Sequence, residues 1–98
     1  MSQREVVILS GARTAIGDYG GSLKDIPPVE LGAKVVREAV ARAKVDPKEV
    51  GQCVFGNVIH TEQRDMYISR VVAVNGGLPV ESGALTVNRL CEIGRAHV

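Results

Sequence analysis

The pattern of apolar and polar positions along this chain predicts strands and helices that alternate. Residues 5–10 form a continuous run rich in β-branched and aliphatic side chains, which is typical of a strand covered on both faces. A glycine-rich stretch at residues 17–21 predicts a loop. Pro27 and Pro28 then mark a boundary, because proline disfavours the helical conformation for the residue before it.

A helix is predicted from these prolines to the Asp46-Pro47 pair, which ends it. Its apolar residues recur at helical spacing and form one stripe: Leu31, Val35, Val36, Ala39, Val40 and Ala43. Two ion pairs in the favourable i,i+4 order, Glu30–Lys34 and Glu38–Arg42, support the helix by a few tenths of a kcal/mol each, roughly. Residues 48–51 are typical of a turn.

The second half of the chain predicts two more strands around a second helix. Residues 53–59 indicate a buried strand, and residues 84–87 indicate a third one. Residues 65–75 between them are apolar nearly all round, as expected of a helix inside a larger protein. Residues 75–77 stop that helix, because glycine and asparagine accept left-handed backbone. The predicted order is β-α-β-α-β, an α/β fold with crossover connections.

Composition narrows the class of protein without changing this picture. The 98 residues are 45% hydrophobic and 23% charged, with a formal net charge of +1, which is ordinary for a folded domain. The sequence contains neither a stripe of basic residues nor a set of aromatic residues for base stacking, so a nucleic-acid partner is not expected. Apolar runs such as residues 71–74 are far too short to cross a membrane, and no apolar signal segment begins the chain. We therefore expect a cytoplasmic location, and we expect Cys53 and Cys91 to be free thiols.

Cys91 is the main candidate for chemistry. It directly follows the third predicted strand, and α/β proteins place functional groups at the carboxyl ends of their strands. A helix beginning there would favour the thiolate through its backbone N–H groups and its dipole. Position alone also fits an inert, small apolar side chain, so the pattern leaves both interpretations open.

Six segments resemble the thiolase family, in the same order and spacing. The most specific is Asn88-Arg89-Leu90-Cys91 at the end of a strand, whereas the glycine-rich segments alone would be weak evidence. The resemblance extends from about residue 4 to Cys91, and residues 61–67 are similar to bacterial β-ketothiolases of broad chain-length range. The matching segments are residues 6–17, 20–24, 30–32, 55–59, 75–79 and 86–91.

The resemblance implies a function and a site. Cys91 would attack an acyl-CoA or 3-ketoacyl-CoA and carry the acyl group as a thioester, in ping-pong transfer without metal or redox cofactor. CoA and its thioesters are then the substrates, and the parent enzyme is a homo-oligomer. The family's other catalytic groups are histidines, a second cysteine and backbone amides that follow the matched region. We therefore expect a partial thiolase-like layered fold, an incomplete N-terminal half-domain, inactive by itself.

The resemblance stops abruptly after Cys91. Thiolases continue with Gly-Ser-Gly, whereas residues 92–98 are Glu-Ile-Gly-Arg-Ala-His-Val. Back-translated as GAG ATC GGA AGA GCA CAC GTC, this segment contains the start of a common short-read sequencing adapter. Our hypothesis is that residues 1–91 are the N-terminal portion of a thiolase N-terminal domain and residues 92–98 are a non-native, adapter-derived tail, which should be excluded from fold reasoning.

Other candidate residues have structural interpretations. His60 lies near Glu62, but a metal site needs three or four ligands. Cys53 lies in the middle of a strand and is expected in the core. For Arg13 and Arg70 we favour structural pairing over contact with CoA phosphates. We expect residues 66–68 in the core or at a subunit interface.

Three alternatives to a thiolase remain open. The nearest is a β-ketoacyl-synthase-like condensing enzyme, which shares a cysteine after a strand, although the amino-terminal segments favour a thiolase. The second is a non-catalytic small interaction module in which Cys91 is incidental. The third is a non-functional product that cannot fold, because its apolar helix and open sheet lack partner layers.

Overall fold

The computed structural model describes residues 4–90. It confirms the α/β class and one parallel strand pair. The predictions for Cys91 and for residues 92–98 lie outside the described residues. The elements in chain order are helix α1 (Pro28–Ala43), a 3-10 turn (Pro47–Glu49), strand β1 (Gln52–Gly56), a second 3-10 turn (Gln63–Tyr67), helix α2 (Ile68–Asn75) and strand β2 (Gly83–Val87).

The two strands form a parallel pair. Their register runs from Gln52 opposite Gly83 to Gly56 opposite Val87. Parallel strands need a crossover connection, and α2 supplies it by packing against both strands. The carboxyl ends of β1 and β2 therefore lie side by side, and both strands are confirmed close to their predicted positions. β1 is shorter than predicted and ends at Gly56.

Helix α1 begins at its predicted boundary and ends at Ala43, before the predicted stop at Asp46-Pro47. Its buried face overlaps the predicted apolar stripe but is centred to one side of it, and Val40 of the stripe also packs against the core. The helix begins at Pro28 and is followed by Lys44, whose φ of 58° is left-handed. Of the predicted apolar stripe only Val36 is buried, whereas Val29, Gly32 and Ala33 are buried outside it. A Cβ at Gly32 would lie 2.7 Å from Cγ2 of Val72, so this glycine lets α1 approach α2 closely. The contact face follows the nearest approach of α2, which the spacing of apolar residues does not show.

Helix α2 is the centre of the core. The buried cluster contains residues from both helices, β1 and the loop after α2: Val29, Val36, Cys53, Ile68, Val72, Ala73 and Leu78. The predicted stop is confirmed, because Gly77 is left-handed at φ 92° and the Leu78 N–H bonds the Ala73 carbonyl at 2.9 Å. The helix starts later than predicted, at Ile68, and Val74 is exposed rather than buried.

The predicted first strand at residues 5–10 does not form, so this prediction was wrong for the described residues. Val6 and Ile8 are 78% and 77% exposed, and no strand pairs with this segment within residues 4–90. A strand exists only where a neighbour completes its backbone hydrogen bonds, and an apolar sequence does not supply that neighbour. The end of the segment rests on α1, where Ser10 Oγ donates to the Ala39 carbonyl at 2.6 Å.

Within residues 4–90, neither α1 nor α2 is long and apolar enough to cross a membrane.

Candidate functional site

The candidate site lies at the carboxyl edge of the parallel strand pair. Asn57 follows β1, Asn88 follows β2, and the register places them opposite each other. The Asn57 N–H donates to the Val87 carbonyl at 2.9 Å, so the ladder continues one residue past β1. Loops that leave this edge are where α/β folds collect functional groups. Cys91 follows Leu90, the last described residue of the loop after β2.

The loop after β2 turns sharply at Leu90. The Leu90 N–H donates to Asn88 Oδ1 at 3.2 Å, and Asn88 Nδ2 donates to the Val58 carbonyl at 3.3 Å. Leu90 has a φ of 32°, a value that residues other than glycine rarely adopt. Backbone held in such a conformation is often part of a functional site. Asn88 thus supports an unusual turn directly before the candidate nucleophile.

The loop after β1 is organised by a buried carboxylate. Asp65 is 0% exposed, and its Oδ2 accepts hydrogen bonds from Thr61 N at 2.7 Å, Thr61 Oγ1 at 2.6 Å and Glu62 N at 3.2 Å. Burial by itself raises the pKa of Asp65, but these hydrogen bonds and the charge of His60 outweigh it and lower that pKa. The carboxylate therefore stays ionised and closes the turn from residue 61 to residue 65.

Asn57 joins the two ends of this loop. Its Nδ2 lies 2.6 Å from His60 Nδ1 and donates to the Asp65 carbonyl at 3.2 Å. Since an amide nitrogen only donates, His60 Nδ1 acts as the acceptor when the imidazole is neutral. Within residues 4–90, no group of three His, Cys, Asp or Glu side chains is arranged to hold a metal. His60 therefore has a hydrogen-bonding role in the loop.

Ser69 fixes α2 to both strands beneath this edge. Its buried hydroxyl accepts from the Phe55 N–H at 2.8 Å and donates to the Leu85 carbonyl at 2.6 Å. The Ser69 N–H donates to Thr86 Oγ1 at 3.1 Å. One residue thus sets the position of the helix relative to β1 and β2.

Sequence reasoning missed Asp65 and Ser69. Both are single polar residues in a stretch interpreted as an apolar helix. A signal was present for Asp65, because it forms a capping box with Glu62 three residues earlier. Ser69 carries no comparable local signal, since its partners are 14 to 17 residues away in sequence.

The remaining candidates have structural roles where the structure describes them. Cys53 is a buried free thiol, and burial raises its pKa, which confirms the prediction of a core residue. Arg70 donates to the carbonyls of Val80 and Ser82, whereas Arg13 donates only to that of its neighbour Thr14. Both therefore bind backbone oxygens rather than acidic side chains.

The segment at residues 66–68 divides between surface and core. Met66 and Tyr67 are exposed and Ile68 is buried, so the expectation of a core position holds for Ile68 alone. A subunit interface at Met66 and Tyr67 stays a prediction. The nucleophile predicted at Cys91 also stays a prediction, because that residue is outside the described part of the chain.

Comparison with known proteins identifies the family to which this chain is similar. Residues 6–98 match the family "Thiolase, N-terminal domain". The chain is 67% identical to the beta-ketothiolase BktB of Cupriavidus necator over 93% of its own length, and 42% identical to an acetyl-CoA acetyltransferase of Clostridioides difficile over the same share. It covers 23% of the first relative and 84% of the second.

A solved structure agrees with these sequence matches. The human mitochondrial 3-ketoacyl-CoA thiolase in complex with CoA superimposes with a TM-score of 0.82 at 37% identity, over 86% of this chain and 21% of that one. The chain thus spans less than a quarter of the length of the first relative and about a fifth of the length of this structure. Sequence and fold together show that the chain belongs to the thiolase family and is similar to its N-terminal domain.

Proposed function

We propose that residues 1–91 are the N-terminal portion of an acyl-CoA acyltransferase of the thiolase type, with Cys91 as its nucleophile. The observation that carries the proposal is the match to the thiolase N-terminal domain, together with a strand that delivers residues 88–90 to the carboxyl edge of the parallel pair. A cysteine after such a strand stands where α/β enzymes place reactive groups.

The proposed reaction is acyl transfer in two half-reactions. The thiolate of Cys91 attacks the carbonyl carbon of an acyl-CoA, the bond from that carbon to the CoA sulfur breaks, and CoA leaves as a thiol after taking a proton. With a 3-ketoacyl-CoA the carbon–carbon bond breaks instead, and the departing acetyl-CoA carbon takes the proton. A second thiol or enolate then accepts the acyl group and restores the cysteine. The two half-reactions together involve no net oxidation or reduction, so the proposal includes no redox cofactor, and it includes no metal.

The described residues supply the frame of this site. Asn57, Asp65 and Asn88 hold the two loops at the strand ends, and Ser69 anchors the helix beneath them. We propose that the remainder of a longer protein supplies the base for the thiol, the group that moves the substrate proton and the rest of the oxyanion hole. The length of the Cupriavidus relative, of which this chain covers 23%, supports that division.

Substrate, assembly and location are part of the same proposal. A CoA thioester is the proposed substrate, supported by the related human structure described in complex with CoA. A homo-oligomer and a cytoplasmic location remain predictions, and relatives in cattle and rodents are named as mitochondrial. We also retain the proposal that residues 92–98 are adapter-derived, although the family match extends to residue 98.

The boundary at Cys91 is tested at the level of the gene. The locus is amplified from source DNA and sequenced past the cysteine codon. We expect a Gly-Ser-Gly continuation in a far longer reading frame. A genomic read that still encodes Glu-Ile-Gly-Arg-Ala-His-Val before a stop codon would contradict the adapter hypothesis.

The 98 residues are then expressed by themselves. We expect no thiolysis of acetoacetyl-CoA, poor solubility, and alkylation of Cys91 by iodoacetamide at the rate of an ordinary thiol. Appreciable CoA-dependent cleavage by this chain would contradict the proposal that the site needs a longer protein. A soluble monomer that melts cooperatively and has no turnover would instead favour the small interaction module.

The decisive variant is Cys91→Ser in the longer enzyme. We expect kcat for thiolysis to fall by at least about a thousandfold, because the hydroxyl is far less nucleophilic than the thiolate. Cys53→Ala is the control, because Cys53 is a buried core thiol that lies away from the carboxyl ends of the strands. Retained activity in Cys91→Ser would refute the assignment of the nucleophile. Decarboxylative condensation without thiolysis would favour the β-ketoacyl-synthase-like alternative.

A further inference from the structure

One side chain joins the two loops at the carboxyl edge of the strand pair. Within residues 4–90, the hydrogen bond from Asn88 Nδ2 to the Val58 carbonyl, at 3.3 Å, is the side-chain hydrogen bond that links the loop after β2 to the loop after β1. Asn57, its opposite in the register, uses its amide inside its own loop, on His60 and Asp65. Asn57 therefore stabilises its own loop, whereas Asn88 links the two loops.

The loop that Asn88 contacts is itself held firmly. Asp65 is fully buried and accepts three hydrogen bonds from Thr61 and Glu62, while Asn57 binds the Asp65 carbonyl. Val58 lies at the start of this loop, directly after the last backbone hydrogen bond of the ladder, Asn57 N to Val87 O. Asn88 thus binds a carbonyl whose position is fixed from both sides.

The other half of the Asn88 amide acts on the backbone of its own loop. Its Oδ1 accepts from the Leu90 N–H at 3.2 Å, and Leu90 has a φ of 32°. For a branched side chain such a φ is unfavourable and persists only where the surroundings impose it. The amide therefore uses its acceptor to form the turn and its donor to fix that turn to the neighbouring loop.

We infer that Asn88 is a positioning residue for the nucleophile, because it sets the backbone direction at Leu90, one peptide bond before Cys91. This inference rests on the proposed function, in which Cys91 carries the acyl group. When a nucleophile is displaced by about 1 Å, the reaction rate can fall roughly a hundredfold. A turn that is held at both ends keeps the nucleophile in position and so maintains the rate. The residue acts through the backbone and needs no contact with the substrate.

The experiment uses the longer enzyme encoded by the full reading frame. Asn88→Ala removes the acceptor and the donor, whereas Asn88→Asp keeps the acceptor for Leu90 N–H and loses the donor to Val58. Asn75→Ala is the matched control, because it makes the same change at the end of α2 and leaves its backbone carbonyl in place. The measurements are kcat, KM for acetoacetyl-CoA, the melting temperature, and the rate of Cys91 alkylation as a function of pH.

We expect Asn88→Ala to lower kcat by about ten- to a hundredfold and to change KM by less than about twofold. The reason is that substrate binding is retained, whereas the alignment of the Cys91 thiol with the substrate is lost. Alkylation of Cys91 should slow in Asn88→Ala and also in Asn88→Asp, whose added negative charge further disfavours the thiolate, and Asn75→Ala should match the wild type. Unchanged kcat and alkylation in Asn88→Ala would overturn the inference. So would a loss of kcat that follows the loss of folded protein and disappears at lower temperature.

The two proposals fail in different ways. If the wild-type enzyme shows no acyl transfer and Cys91→Ser changes nothing, the proposed function fails. The alkylation rate then still decides the inference, since it measures the Cys91 thiol without any turnover. Slower alkylation in a stably folded Asn88→Ala protein supports the positioning role, and an equal rate refutes it.

Discussion

Two apolar regions of this chain reach opposite outcomes. In the unit formed by α1, β1, α2 and β2, Val72 is completely buried between the helices and the strands. In the amino-terminal segment, Val6 is 78% exposed and Val7 is 58% exposed. Residue type is the same in both regions, so hydrophobicity by itself does not explain the difference.

The difference lies in how each element satisfies its backbone. A helix makes its hydrogen bonds within itself, so α1 and α2 need only an apolar surface to pack against. A strand needs at least one neighbouring strand, because its backbone N–H and C=O groups have no partners within the strand. β1 and β2 provide that neighbour for each other, whereas residues 5–9 have none within the described part of the chain. The comparison teaches that strand prediction depends on partners more than on composition.

The strongest test of the comparison uses one substitution in both regions. Val72→Ala should lower the free energy of unfolding by about 2–3 kcal/mol, because it leaves a cavity in the core. Val6→Ala should change it by less than about 0.5 kcal/mol, because this side chain is exposed. Urea unfolding of the 98-residue chain, refolded at low protein concentration because poor solubility is expected, measures both by far-UV circular dichroism. Equal losses in the two variants would show that residues 5–9 are buried in solution.

A second pair of variants compares glycines. A Cβ at Gly76 would lie 2.7 Å from Val36 Cγ1 and 2.8 Å from the Val72 carbonyl oxygen, whereas a Cβ at Gly11 would meet nothing within 4 Å. Gly76→Ala should therefore cost about 1–3 kcal/mol through overpacking, and Gly11→Ala should be nearly neutral. The same unfolding assay applies. A neutral Gly76→Ala would mean that α1 and the end of α2 are farther apart than described.

The third prediction concerns acid. Since the pKa of Asp65 is lowered in the folded chain, its contribution to stability is fully present above its unfolded pKa and is lost as pH falls through the folded pKa. The urea concentration at the unfolding midpoint of the wild type should therefore decrease as the pH is lowered below about 4. The midpoint of Asp65→Asn should change less over the same pH range. Parallel pH curves for the two proteins would contradict the role of this carboxylate.

The smallest expected effect is at the contact between the two regions. Ser10→Ala removes the 2.6 Å hydrogen bond to the Ala39 carbonyl and leaves the core untouched. We expect faster proteolysis within residues 4–11, while the urea midpoint changes by no more than the equivalent of about 1 kcal/mol. An unchanged cleavage rate would indicate that the segment is held by other contacts, such as Arg42 to the Gly11 carbonyl at 3.2 Å.

Sequence predicted part of the site as well as most of the fold. It placed Asn88 and Leu90 at the end of a strand, because an apolar run ending in polar residues is a local signal. It did not predict that Asn88 reaches Val58, 30 residues away, or that Ser69 contacts both strands. Contacts of that kind depend on which strands become neighbours, and no local pattern contains this information.

The sequence by itself determined the types of the helices and of β1 and β2, the stop signal at residues 75–77, and the resemblance that leads to the thiolase family. These are local properties of propensity and turn chemistry, or of whole segments in order. Tertiary structure alone decided where the buried face of α1 is centred, which apolar run became a strand, and how Asn88 joins the loops at the strand ends. The physical reason is that the burial and the hydrogen bonds concerned join segments that are distant in sequence, so no local pattern contains them.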